Sequence, residues 1–167
     1  VNLANALAET ENALQKAVKE NKEGSLRKSL CKAVLEYSEF MLKRDVSDNK
    51  AIGKFGAEAI LKTTGKDKVD MLTICNTGSL ATAGYGTALG VVRYLQENGN
   101  LNSISALETR PYNQGSRLTA FEIMEEKMTG GQLICDSAAG ALMKVCRNDV
   151  RISVLAHCRL DMCCAMV

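Results

Sequence analysis

Four short stretches carry side chains able to do chemistry: Cys75-Asn76-Thr77-Gly78, Glu108 to Gly115 (ETRPYNQG), Cys135-Asp136-Ser137 and His157-Cys158-Arg159. Each directly follows a short apolar run. Cys75 offers a sulfur that can carry a proton or attack an electrophile. The backbone N–H groups of Asn76, Thr77, Gly78 and Ser79 favour an anion if a helix begins after them. The same field stabilises negative charge on a nearby sulfur, which makes Cys75 a candidate reactive thiol. The competing reading is simple packing, because free cysteine is among the most buried residue types. Arg110, next to Pro111, is biased to an extended backbone. That geometry suits a guanidinium aimed at a phosphate or carboxylate; an ion pair with Glu108 competes. Gln114 holds donors and acceptors for sugar hydroxyls, against the plainer reading of a solvent-facing residue at a helix start.

The elements that must position these residues follow from the pattern between them. VDMLTIC, SISALET, GQLICDS and VRISVLAHC are short and apolar, as buried strands are. LATAGYGTALGVVRYLQENG, QGSRLTAFEIMEEKM and AAGALMKVCRN read as helices between them, with Phe121, Ile123 and Met124 as core candidates. Strands alternating with helices predict a parallel sheet with right-handed crossovers. Ligands in such sheets bind beyond the strands' carboxyl ends. Cys75, Glu108, Arg110, Gln114, Asp136, Ser137, His157 and Arg159 are therefore expected along one edge. Gly84, Gly86 and Gly90 fall inside a predicted helix rather than in the turn before it, which argues for close packing and against a dinucleotide fingerprint. Ala81, Ala83 and Ala88 fit the same packing role.

Before residue 66 the pattern is helical. Leu3, Leu7, Leu14 and Val18 recur at helical spacing, and residues 21–24 read as a break. Ser25 can cap a second helix continuing through Leu26, Leu30, Val34, Leu35 and Met41. Ile52, Phe55, Ile60 and Leu61 suggest a third, ending near Gly65. The expected fold is α/β: an N-terminal helical segment (1–65) followed by a truncated Rossmann-like parallel sheet with flanking helices (66–167). A sheet whose last strand lacks a covering helix implies further sequence beyond the C-terminus. The absence of an initial Met implies processing or a fragment.

Composition excludes several classes. The 167 residues are 46% hydrophobic and 24% charged, with a formal net charge of +2. That charge is too small to argue for nucleic acid or a membrane surface. Aromatics make up 4% and Trp is absent, so little is available for stacking bases. No apolar run approaches the roughly 18 residues of a membrane span, and the N-terminus lacks a signal-peptide pattern. The seven cysteines are odd in number and contain no CxxC pair, which fits free thiols in a reducing compartment, the cytoplasm or nucleus. His157, Cys158, Cys163 and Cys164 are irregularly spaced for zinc, and no metal site is expected.

LTICNTGSLATAGYGTALGVVR, ETRPYNQGSRLTAFE and DSAAGALMK together closely resemble the methylthioribose-1-phosphate isomerase family, in its eukaryotic, plant-like form. The resemblance covers most of the chain and is weakest over residues 1–50. Ribose-bisphosphate isomerases and the regulatory subunits of a translation-initiation exchange factor share this fold; the latter lack the catalytic cysteine. The resemblance implies an aldose–ketose isomerase of methionine salvage, needing no cofactor. Cys75 matches the catalytic cysteine and Gln114 a substrate-binding glutamine, with Arg110, Thr77 and Gly78 as further substrate-binding candidates. The family's catalytic aspartate, in a Gly-Ala-Asp-Arg motif, aligns with Cys158. A thiol, with a reference pKa near 8.5 against about 3.9 for the carboxyl group, is a far weaker acid. An Arg-Gly-Ala phosphate loop, a second arginine and an Asn-Lys pair of the family have no counterpart here, and LDMCCAMV departs from its pattern. The chain alone is thus expected to be impaired or inactive. The alternative is a non-catalytic regulatory or interaction protein. Expected partners are a sugar phosphate and a homodimer or heterodimer with a full-length homologue, without nucleic acid or membrane.

Overall fold

The computed structural model describes residues 3–21, 25–143 and 152–156. Two long helices come first, α1 (Leu3–Glu20) and α2 (Leu26–Thr64). An α/β region follows: β1 (Val69–Ile74), α3 (Ala88–Glu97), β2 (Leu101–Leu107), α4 (Ala120–Glu125), β3 (Gly131–Ile134) and β4 (Ile152–Ala156). The strands form one four-stranded sheet in the order β3-β2-β1-β4, and every pairing is parallel. The order reverses between β1 and β4. Doubly wound sheets open their ligand crevice at such a switch point, beyond the carboxyl ends.

The residues divide into two compact units, Val1–Ser47 and Asp48–Val167. In the first, the Tyr37 hydroxyl donates to Glu9 at 2.5 Å and Arg44 Nη1 pairs with the same carboxylate at 3.3 Å. Leu3, Leu7 and Val18 do not form a buried face: they are exposed, and α1 buries no residue. The second and third predicted helices are one continuous α2, because the stretch between them holds neither proline nor a paired glycine to stop it.

The second unit holds the core. Met71 of β1, Leu89, Val92 and Leu95 of α3, and Ile104 of β2 are each at most 1% exposed. On α2 the core-facing positions are Asn49, Gly53 and Ala57, spaced one turn apart, not the large Ile52 and Phe55, which are exposed. Small residues let two backbones approach: a Cβ added at Gly53 would meet the Gly90 carbonyl oxygen at 2.8 Å.

The predicted helix from Leu80 to Gly99 is shorter than expected. Ser79–Ala81 make one 3₁₀ turn, the chain loops through residue 87, and α3 begins at Ala88. Gly86 breaks the helix with φ of +74°, and a Cβ there would lie 2.6 Å from the Gly78 Cα. Gly84 and Gly86 thus belong to the loop, and Ala81 and Ala83 are exposed; only Gly90 and Ala88 pack as predicted. The second predicted helix starts with a π-helical turn, Gly115–Thr119, in which the Ala120 N–H donates to the Gly115 carbonyl. This turn changes the phase of the face that follows. Phe121 and Met124 are 55% and 78% exposed, Ile123 is buried as expected, and the inward position passes to Glu122.

Glu122 is 4% exposed and Arg93 is 7% exposed. Arg93 Nη2 meets Glu122 Oε2 and Glu126 Oε1, each at 2.5 Å, and its Nη1 donates to the Tyr85 carbonyl. Burial works against the guanidinium charge, but the bonds to Glu126 and Glu122 outweigh it and hold the group above its ordinary range. Glu122 also accepts the N–H of Ser79 at 2.8 Å and of Leu80 at 3.3 Å. Replacing Arg93 by Met should therefore cost about 3–5 kcal/mol, because Glu122 is left as an unpaired buried charge. Urea unfolding of the variant beside a double variant that also carries Glu122→Gln is the check: the double variant is expected to recover part of the loss.

Candidate functional site

β1 ends at Ile74, so Cys75 is the first residue beyond it, at the switch point of the sheet. Its backbone is left-handed, with φ of 78°, a conformation that non-glycine residues hold only when their surroundings impose it. Those surroundings come from the segment after β2. The Cys75 N–H donates to Thr109 Oγ1 at 2.9 Å, and the Cys75 carbonyl accepts the Thr119 hydroxyl at 2.7 Å. The thiol donates to Gln114 Oε1 at 3.3 Å. Every polar group of Cys75 is thus tied to residues 109–119. Cys75 and Gln114, separated by 39 positions, are in direct contact.

Gln114 reaches the thiol because its loop folds tightly onto the end of β2. The N–H groups of Gly115 and Ser116 both donate to the Glu108 carbonyl, at 3.1 and 3.3 Å. A Cβ on Gly115 would overlap the Leu107 carbonyl oxygen, so only glycine permits this approach. The other face of the loop is held from β3: Asp136 Oδ1 accepts the Thr109 N–H at 2.9 Å and Oδ2 the Arg110 N–H at 2.7 Å. The Asp136 N–H lies 3.4 Å from Glu108 Oε1. Among the described residues no ion pair joins Glu108 to Arg110, and Arg110 is exposed.

The turn after Cys75 differs from the expected anion cradle. Its outward N–H groups, on Ser79 and Leu80, already hold the Glu122 carboxylate. Gly78 lies against that carboxylate, and an added Cβ would overlap it. Thr77 is 1% exposed; its hydroxyl sits 3.3 Å from that of Thr73, and its carbonyl accepts the N–H groups of Thr87 and Leu89. Thr77 and Gly78 thus shape the loop that carries the thiol. Asn76 was not singled out by its own chemistry, yet its Oδ1 is buried with no hydrogen-bond partner among the described residues. An unpartnered buried acceptor is costly and calls for a donor. Glu122, Thr109 and Thr119 also escaped sequence reasoning. A capping-type carboxylate inside an apolar-looking helix was the one available signal. His157, Cys158, Arg159, Cys163 and Cys164 lie outside the described residues. Cys31, Cys75 and Cys135 are free thiols, no group of metal-ligating side chains occurs among the described residues, and none of their helices is long and apolar enough to cross a membrane.

A doubly wound α/β sheet with a thiol and a carboxamide joined at its carboxyl rim narrows the class of protein, and comparison with known proteins narrows it further. The Initiation factor 2 subunit family matches residues 1–152. The chain belongs to that family. It is 53% identical over 146 residues to a methylthioribose-1-phosphate isomerase of Talaromyces marneffei, covering 86% of this chain and 37% of the relative. The Zea mays protein of the same name is 50% identical over 145 residues, covering 86% and 38%. Among solved structures, 5-methylthioribose 1-phosphate isomerase from Pyrococcus horikoshii superposes with a TM-score of 0.69 at 33% identity, covering 87% of this chain and 38% of that one. Translation initiation factor eIF-2B, subunit delta, from A. fulgidus gives 0.67 at 39% identity, covering 86% and 39%. The chain therefore spans about two-fifths of the length of these relatives.

Gly115→Ala is expected to push the loop off the end of β2 and withdraw Gln114 from the thiol, at a cost of about 1–3 kcal/mol from overpacking. A thermal melt reads the cost, and the Gln114 side-chain amide resonances in a two-dimensional NH spectrum read the displacement. Unmoved resonances in a folded variant would contradict it.

Proposed function

We propose that this chain carries the cysteine–glutamine part of an aldose–ketose isomerase site whose substrate is 5-methylthioribose 1-phosphate and whose product is 5-methylthioribulose 1-phosphate, a step of methionine salvage. The observation that carries the reading is the contact between Cys75 Sγ and Gln114 Oε1 at the carboxyl rim, supported by the names of relatives at about half identity. In this reaction the phosphate on the anomeric oxygen prevents the ring from opening as a free sugar does. Opening breaks the bond from C1 to the ring oxygen, which takes up a proton. One hydrogen then moves from C2 to C1, as a hydride or through an enediol, and the C2 hydroxyl loses its proton to become the ketone. Oxidation at C2 balances reduction at C1, so the step needs no external redox partner.

The residues present suit part of that work. The Cys75 thiol holds a proton directed at Gln114 Oε1, and the Gln114 amide keeps donors for a substrate oxygen. Asn76 Oδ1 is an acceptor for a sugar hydroxyl. Arg110 is an exposed cation of this rim and a candidate for the phosphate. By the family resemblance Cys158 stands where an aspartate would complete the proton transfers, and a thiol is a poor replacement at neutral pH. A second copy or a longer homologue is the macromolecular partner this reading implies, in a reducing compartment, the cytoplasm or nucleus. The second reading, a non-catalytic subunit, is favoured by the likeness to the eIF-2B delta subunit.

Alkylation of Cys75 by iodoacetamide, mapped by peptide mass spectrometry, tests the site without requiring turnover. With 5-methylthioribose 1-phosphate at about ten times its Kd, mass action leaves roughly one-tenth of the sites open, so Cys75 is expected to react about tenfold more slowly while Cys31 is unaffected. Gln114→Ala should abolish the protection. Turnover is expected to fall about 10²–10⁴-fold below that of the maize relative, the usual contribution of one acid–base group. Absence of protection at any ligand concentration would remove the isomerase reading and leave the non-catalytic one.

A further inference from the structure

We propose that Asp136 and Thr109 are positioning residues for Cys75, acting as a two-step hydrogen-bond chain that holds the thiol in its working geometry. The catalytic meaning of this inference rests on the isomerase reading; its geometry and its test do not.

The chain starts on the loop after β3. Both carboxylate oxygens of Asp136 are used on consecutive backbone N–H groups, Thr109 at 2.9 Å and Arg110 at 2.7 Å. Two N–H groups pointing to one carboxylate require a sharp turn, and Thr109 adopts it with φ of 61°. A threonine in the left-handed region is unfavourable because its branched Cβ crowds the backbone. The paired charge-assisted bonds from Asp136 offset that strain.

The turn gives Thr109 Oγ1 its direction. The hydroxyl donates to the Leu107 carbonyl at 3.1 Å, which anchors it to the end of β2. Its lone pair then accepts the Cys75 N–H at 2.9 Å. Cys75 is itself left-handed, at φ of 78°. Two successive strained residues on neighbouring strand ends are thus coupled through one hydroxyl. If the hydroxyl were lost, the Cys75 N–H would have no partner and the residue could relax toward an ordinary extended backbone. The side chain would swing with it, away from Gln114 Oε1. Asp136 touches neither Cys75 nor Gln114 in this arrangement; it acts only through Thr109.

The test uses the whole chain and no sugar phosphate. Thr109→Val removes the hydroxyl with little change of shape, Thr109→Ser retains it, and Asp136→Ala removes both carboxylate oxygens. Iodoacetamide alkylation of Cys75 is measured across pH with Cys31 as internal control, alongside Gln114 side-chain amide resonances. Thr109→Val and Asp136→Ala should each speed Cys75 alkylation by about fivefold, the equivalent of one net hydrogen bond, and shift the Gln114 resonances. Cys31 should not change, and Thr109→Ser should behave as the parent protein. A general loss of structure would collapse the dispersion of the whole amide spectrum rather than shift the Gln114 resonances alone, and Cys31, already exposed, serves to normalise reagent and pH effects. Parent-like Cys75 rates in a folded Thr109→Val protein, or equal rates for the serine and valine variants, would overturn the proposal. Should the chain hold here while sugar phosphate fails to protect Cys75, only the isomerase reading falls.

Discussion

A buried carboxylate, Glu122, holds the loop after β1 in place. It accepts the N–H groups of Ser79 and Leu80 and is neutralised by Arg93, which also reaches Glu126 and the Tyr85 carbonyl. Burying an ion pair is costly in itself and is tolerated where geometry satisfies nearly every donor and acceptor. Here it connects α3, α4 and the loop of residues 76–87 in one network. An external anion would compete with Glu122 for those amides, so the turn serves as a structural clasp. Its consequence is local: the turn is closed, and the residue before it, Cys75, is the one presented at the rim.

The rim itself is made by backbone rather than by large side chains. Glycines occur where two main chains come closer than any Cβ allows, as at Gly115 against the Leu107 carbonyl and at Gly86 against Gly78. Hydroxyls of Thr109 and Thr119 then satisfy the N–H and carbonyl of Cys75. The N–H, carbonyl and thiol of Cys75 each have a partner, and Asn76 Oδ1 is the buried side-chain acceptor without one among the described residues. The π-helical turn at Gly115–Thr119 belongs to the same design, since one extra residue in the helix turns Thr119 toward Cys75 and Glu122 toward the loop.

The family contains both isomerases and initiation-factor subunits, and the fold alone does not separate them: the two solved structures superpose almost equally, at TM-scores of 0.69 and 0.67. Function in such a family resides in the residues set on the shared sheet. In this chain the side chains that meet at the switch point are Cys75 and Gln114.

Strand–helix alternation, the parallel sheet and the gathering of Cys75 and Gln114 at one edge were legible in the sequence, because apolar runs of strand length and ligand placement at carboxyl ends are local or topological rules. The phase of each helix was not. Gly53 and Ala57 face the core while Ile52 and Phe55 face outward, a choice made by how closely α2 and α3 approach, which no periodicity along α2 alone encodes. Phe121 and Met124 were misread for a related reason: a π turn shifted the face, and an apolar count cannot register it. Nor could composition show that Ser79 and Leu80 serve Glu122, 43 and 42 positions away. The sequence by itself determined which strands would exist and which side chains would stand at their ends. Tertiary structure alone decided which of those side chains touch, because contacts of 3 Å depend on loop geometry set by close backbone approach, and that is a property of two segments at once.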